Sequence, residues 1–172
     1  MKKAMMQATK FDNLYTPDKA VIPLLPYLPP LAYEDSESNY TIWECADAGN
    51  SKITKILKNE GYPVISTDIE TGFDFLNDVP NFHFDIIISN PPFSLKDKWI
   101  KKCYEYNKPF ALLLPLTALE GIQRGKMYRE HGISVIVLDK RIDFTGKGAN
   151  WFNASWFVWN IIRNNCLTFE SL

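Results

Sequence analysis

Three consecutive isoleucines, Ile86 to Ile88, lead through Ser89 and Asn90 directly into Pro91, Pro92 and Phe93. This stretch restricts the fold more than any other in the chain. A β-branched run of this kind reads as a buried strand. Two successive prolines cannot donate to a sheet ladder, so the strand must stop at Asn90. An amide side chain, a rigid turn and an aromatic ring therefore sit together at the C-terminal end of a central strand. In open α/β sheets ligands bind at that edge.

The turn has a definite chemistry. The Asn90 side chain offers two donors and an acceptor. Proline rings fix φ at Pro91 and Pro92 and restrict the residue before them. Carbonyl groups at Asn90 and Pro91 can thus be held outward, where they could accept hydrogen bonds from a planar exocyclic amine. Phe93 supplies a stacking face, worth about 1–3 kcal/mol for a base.

The rest of the chain is consistent with one domain. Its 172 residues are enough for a single substantial core. The net charge of −1 confines any nucleic-acid binding to local patches. Cys45, Cys103 and Cys166 show no CxxC or Cys/His spacing, and His83 and His131 lie far apart. Reduced thiols, a cytoplasmic location and no metal site are expected. No apolar run follows Lys2 and Lys3, and none approaches a membrane span, so neither a signal peptide nor a membrane contact is expected.

Read in order, the chain alternates strands and helices. Thr16 and Pro17 suit the start of a first helix, which Pro23 and Pro26 should shorten or kink. A strand is expected over 40–46, a helix over 52–60 and a second strand over 63–68. Residues 69–83 leave little room for a crossover helix. Then come the 86–89 strand, a helix over 95–107, a strand over 110–114, a helix over 117–130, a strand over 133–138, a basic loop over 139–153, a strand over 154–162 and a tail. The first strand, its turn and the next strand form a nucleoside-binding βαβ half. The turn contains Gly49, and Asp68 ends the second strand; 68 − 49 = 19 positions, close to the spacing of about 20 expected for a ribose-binding acid.

These pieces, in this order, resemble the class I S-adenosylmethionine-dependent methyltransferases, and more narrowly the small adenine-N6 DNA methyltransferases of phages and prophages. The resemblance spans roughly residues 14–163. It implies an α/β, three-layer Rossmann-like methyltransferase fold, with a mostly parallel sheet of six or seven strands and an antiparallel C-terminal strand. It also implies a single catalytic domain over 1–172 with no separate target-recognition domain. Asn90, Pro91, Pro92 and Phe93 match the family's Asn-Pro-Pro-aromatic motif, in which the Asn side chain and first Pro carbonyl bind the target amine and the aromatic ring stacks on the base. Tyr15, Thr16 and Pro17 match its N-terminal cofactor motif. The segment from Glu44 through Ala46 to Gly49 lies where its Gly-rich motif does. Asp68 matches the ribose acid, and Asp74 with Phe75 the pair that meets the cofactor adenine. Trp156 to Trp159 resemble its last, aromatic-rich strand. The chain departs from the pattern at Ser51, where the family has a second glycine.

The implied reaction is methyl transfer from S-adenosylmethionine to adenine N6, with nucleic acid, DNA foremost, as partner. Lys96, Lys98, Lys101 and Lys102 form one candidate phosphate patch, Arg124, Lys126 and Arg129 a second, and Lys140, Arg141 and Lys147 a third. Two alternatives stay open: an N-methyltransferase of RNA or of a protein glutamine, and a weakened methyltransferase fold that only binds. The oligomeric state is not legible.

Overall fold

The computed structural model describes residues 16–30, 40–47, 51–144 and 153–172. Seven strands form one sheet: β1 (Ile42–Glu44), β2 (Val64–Ser66), β3 (Ile86–Ser89), β4 (Phe110–Pro115), β5 (Ser134–Leu138), β6 (Ala154–Trp159) and β7 (Leu167–Glu170). Their order is β2-β1-β3-β4-β6-β5-β7. β6 runs antiparallel to both β4 and β5, and the other pairs are parallel. The expected α/β Rossmann-like architecture is present.

Both faces of the sheet are covered, which explains the near-continuous apolar character of β3 and β4. On one face α1 (Asp18–Val21) and α2 (Lys52–Asn59) bury Val21, Ile53 and Leu57 against Ile42, Ile86, Ile88 and Trp156. On the other, α3 (Lys96–Tyr106) buries Trp99, Ile100 and Cys103 against Ile87, Leu112 and Phe157. α4 (Ile122–His131) lies on that side too, through Met127 and Tyr128. Successive strand residues alternate between the two cores, as the pleat requires.

The segment between β2 and β3 has no crossover helix beyond a three-residue 3-10 turn, Ile69–Thr71. Rings take the place of a helix face. Phe73, Phe75, Phe82, Phe84 and Tyr106 surround Trp43 at centroid distances of 4.8 to 5.7 Å. Aromatic pairs of this kind add about 0.5–1.5 kcal/mol each beyond their burial. The Trp43 indole N–H is also satisfied, donating to Thr67 Oγ1 at 2.9 Å.

Four expectations need correction. The C-terminal residues are not a tail: Leu167–Glu170 extends the sheet beside β5, and the Tyr27 hydroxyl donates to the Glu170 carboxylate. Thr16 does not cap α1; Pro17 occupies the N-cap position with no side-chain bond, and Thr16 is buried. The helix expected from residue 117 is divided into a 3-10 turn, Leu116–Leu119, and α4, because Gly121 between them has φ +126°. The second strand ends at Ser66, so Asp68 lies just past the strand.

Candidate active site

The parallel strands β2, β1 and β3 are neighbours in register, with Glu44 opposite Ser66 and Trp43 opposite Ile87. Their C-terminal ends therefore share one edge. Asp68 lies beyond β2, Glu44 and the turn after it at the end of β1, and Asn90 beyond β3. Three strands far apart in sequence thus bring the expected cofactor acids and the expected amine-binding turn to one side of the sheet.

The turn after β1 is held by side-chain hydrogen bonds. Glu44 is 1% exposed. Its Oε1 accepts from the Ser89 hydroxyl at 2.6 Å and the Ala46 amide at 3.0 Å, and its Oε2 from the Ser51 hydroxyl at 3.2 Å. Burial pushes the Glu44 carboxyl up to about 7, and the Asp47 charge adds to this, while the hydrogen bonds oppose it. Asp47 is equally buried. It accepts from the Ser51 amide at 2.8 Å and from the Thr54 hydroxyl, and its own amide reaches Thr67 O at 3.0 Å, joining the ends of β1 and β2.

Ser51, at the place of the family's second glycine, has φ −61° and ψ +134°, a backbone conformation open to any residue. Its hydroxyl caps α2 by accepting from the Ile53 amide at 3.1 Å. The departure from glycine is thus used structurally. The Asp18–Lys52 ion pair, 3.3 Å, brings the start of α1, with Thr16 and Pro17, beside the start of α2. Tyr15 and Gly49 lie outside the described residues, as do Ala48, Asn50 and Lys147.

Asp68 is half-buried and caps the following 3-10 turn, its Oδ1 accepting from the Glu70 amide at 2.8 Å. Asp74 folds back on its own loop, accepting from the Leu76 amide at 3.0 Å and the Asn77 side chain at 2.7 Å. The Phe75 ring is 2% exposed and stacks on Trp99 with centroids 4.2 Å apart. It anchors the Asp74 loop in the core.

Beyond Ser89 the chain turns through half-buried Asn90, buried Pro91 and half-buried Pro92 and Phe93. The Asn90 side-chain oxygen is itself buried. Pro92 opens a 3-10 turn, and its carbonyl accepts from the Leu95 amide at 2.9 Å. The half-buried Phe93 ring has Phe144 edge-on, with centroids 6.2 Å apart. Among the basic residues, Lys96 Nζ donates to Phe93 O at 3.3 Å. Lys101 pairs with Glu105 at 3.4 Å, and Lys102 lies over the Tyr106 ring. Arg124 is spent within the protein. It bonds the carbonyl groups of Ala118 and Glu120 and pairs with Asp97.

Sequence reasoning singled out Ser51 only as a departure from the family's glycine, and missed Asp47, Thr54 and Ser89 as site-building residues and Phe144 as a neighbour of the stacking ring. Asp47 and Ser89 carried a signal, since each lies at the C-terminal end of a strand next to a residue already singled out. Phe144, in an aperiodic loop, carried none.

No protein-family model and no curated protein matches the sequence. Solved structures do match it. A type I restriction-modification system methyltransferase subunit from Streptococcus thermophilus superposes with a TM-score of 0.56 at 17% identity, over 92% of this chain and 47% of that one. A protein from Agrobacterium tumefaciens described as a predicted O-methyltransferase gives 0.40 at 15% identity, over 87% of this chain and 84% of that one. The chain thus spans about half the length of the Streptococcus subunit.

Proposed function

We propose that this chain transfers a methyl group from S-adenosylmethionine to the N6 amine of adenine in DNA. The observation that carries the reading is the 2.6 Å hydrogen bond from Ser89 Oγ to Glu44 Oε1. It ties the residue before Asn90 to the turn after β1, so a methyl donor and a target amine held by these two turns would meet at one edge.

The residues present fit the cofactor. Buried, hydrogen-bonded Glu44 ends β1, half-buried Asp68 lies just past the neighbouring β2, and the unstrained Ser51 opens α2 beside them. Thr16, Pro17, Ala46, Asp74 and Asn90 would complete the pocket, with Tyr15 and Gly49 assigned by resemblance alone. Bound S-adenosylmethionine would supply a methyl group activated on a sulfonium sulfur.

The chain's own task is positioning and electrostatics. Adenine N6 is a poor nucleophile because its lone pair is delocalised into the ring. Asn90 Oδ1 and the Pro91 carbonyl would accept its two hydrogens and favour a pyramidal nitrogen. The rings of Pro91 and Pro92 fix φ on both residues and so restrict the backbone that carries these acceptors. Phe93 would stack on the base, with Phe144 closing one side. In a duplex the base must first leave the helix, at a cost of a few kcal/mol. DNA is preferred over RNA or protein as substrate because the Streptococcus subunit that shares the fold belongs to a restriction-modification system.

Labelled methyl transfer to DNA, RNA and total protein, run beside calorimetry with S-adenosylmethionine, tests the reading. Label in DNA and micromolar binding are expected. Label in RNA or protein alone would reassign the substrate, and no binding at millimolar cofactor would leave only a binding module.

A further inference from the structure

Among the described residues one pair of exposed apolar side chains has a rigid support. Ile122 is 93% exposed and Leu119 45%. Both belong to the knuckle between the 3-10 turn Leu116–Leu119 and α4. This knuckle follows β4, which is hydrogen-bonded to β3 with Ser89 opposite Leu112. It therefore stands on the same sheet edge as Asn90 and Phe93, one strand along.

The knuckle is braced. Gly121 turns it with φ +126°, a conformation that side chains rarely adopt. Arg124 grips it from behind through the carbonyl groups of Ala118 and Glu120, and the Tyr128 hydroxyl donates to Ala118 O at 3.1 Å. The same guanidinium pairs with Asp97, four residues past Phe93 in the chain. The exposed tip is thus fastened to the helix that leaves the Asn-Pro-Pro-Phe turn. Lys126 is one helical turn beyond Ile122 on the same face. It lines a surface pocket with Lys101, Glu105 and Glu130, while the charge of Asp97 is met by Arg124.

An apolar tip on a rigid mount, with Lys126 one helical turn away and set beside a base-binding turn, has the chemistry of a wedge that enters a duplex between base steps. We propose that Ile122, supported by Leu119, is that wedge: it fills the stack beside the target adenine and holds the duplex open while the base occupies the Asn90–Phe93 turn. This rests on the reading of the site as a DNA methyltransferase. Ile122 is a positioning residue, because it acts on the duplex and leaves the reacting atoms untouched.

The test compares labelled methyl transfer by wild type, Ile122→Ala and Ile122→Phe on duplex DNA and on the same DNA heat-denatured. Ile122→Ala should lose tenfold or more on duplex DNA and stay within twofold of wild type on single strands, and Ile122→Phe should keep most of the duplex activity. Equal losses on both substrates, or none on either, would overturn the wedge. A change of oligomeric state in light scattering without a duplex-specific loss would also overturn it, making the tip a protein contact. Wild type active on single strands alone would overturn the wedge but leave the methyl-transfer reading standing. Wild type inactive on both would remove both.

Discussion

The turns after β1 and β3 sit side by side and are built in opposite ways. The β1 turn is held by hydrogen bonds converging on two buried carboxylates, Glu44 and Asp47. The β3 turn is held by covalent rings, at Pro91 and Pro92. A turn made from carboxylates and hydroxyls can respond to pH, to a bound cation and to single-atom changes in a side chain. A turn whose φ angles are set by proline rings is less open to these, because those angles were fixed when the chain was made. The difference suits their proposed tasks. A charged, exchangeable cofactor needs a responsive cradle, whereas an amine that must be presented at one angle needs a fixed one. The Ser89–Glu44 bond is where the two meet.

The largest expected effect lies in the rigid turn. Asn90→Ala should lower methyl transfer by 100-fold or more, in the range seen when a positioned polar group is removed from a transition state. Cofactor affinity should fall far less, by no more than about tenfold, because Asn90 is one of several residues that would line that pocket. Parallel loss of both, by rate assay and calorimetry, would show that the two turns do not divide the work as proposed.

Next comes the responsive turn. Glu44 has its folded pKa raised from 4.5 to about 7. Below pH 4.5 both folded and unfolded forms are protonated. As pH rises from 4.5 to 7 the unfolded chain ionises first, so the folded state loses stability across that window, and the full cost is present above 7. A shift of this size corresponds to about 3 kcal/mol. Glu44→Gln, whose oxygen can still accept from Ser89 and Ala46 while its amide nitrogen donates to the Ser51 hydroxyl, should therefore flatten the pH dependence of urea denaturation between 4.5 and 7. Wild-type and variant curves that stay parallel would contradict the buried, raised carboxyl.

Phe93→Ala should remove a stacking face worth about 1–3 kcal/mol, raising the apparent dissociation constant for DNA roughly 5- to 150-fold, and Phe93→Tyr should restore it. A change below twofold would take Phe93 out of base recognition. The smallest effect is expected at Ser51. Ser51→Ala should cost about 1 kcal/mol through loss of the α2 cap, and Ser51→Gly only a few tenths, read by thermal or urea unfolding. A larger loss for glycine than for alanine would show that the capping bond is not what Ser51 contributes.

Much of this arrangement was legible in the sequence, for reasons that differ by region. The central strands could be read because burial on both faces leaves uninterrupted apolar runs, as in Ile86–Ile88 and Phe110–Leu114. The Asn90–Phe93 turn could be read because prolines state their geometry locally. β7 could not. Its four residues alternate between exposed and half-buried, and it is held by its ladder to β5 and by Tyr27 from the other end of the chain. Arg124 looked like a phosphate contact, since sequence cannot show that Asp97, 27 positions away, lies opposite it. The ring partners of Phe75, Trp43 and Trp99, are likewise brought to it only by the fold. Residues whose role depends on a distant neighbour are those that the sequence leaves open.

Nucleoside mass spectrometry addresses the central claim most directly. Duplex and denatured DNA are incubated with S-adenosylmethionine carrying a labelled methyl group and either wild type or Asn90→Ala, then digested. Labelled N6-methyldeoxyadenosine from wild type and none from Asn90→Ala is the expected result. Equal amounts from both proteins, or label on cytosine in place of adenine, would contradict an amine held by the Asn90–Phe93 turn.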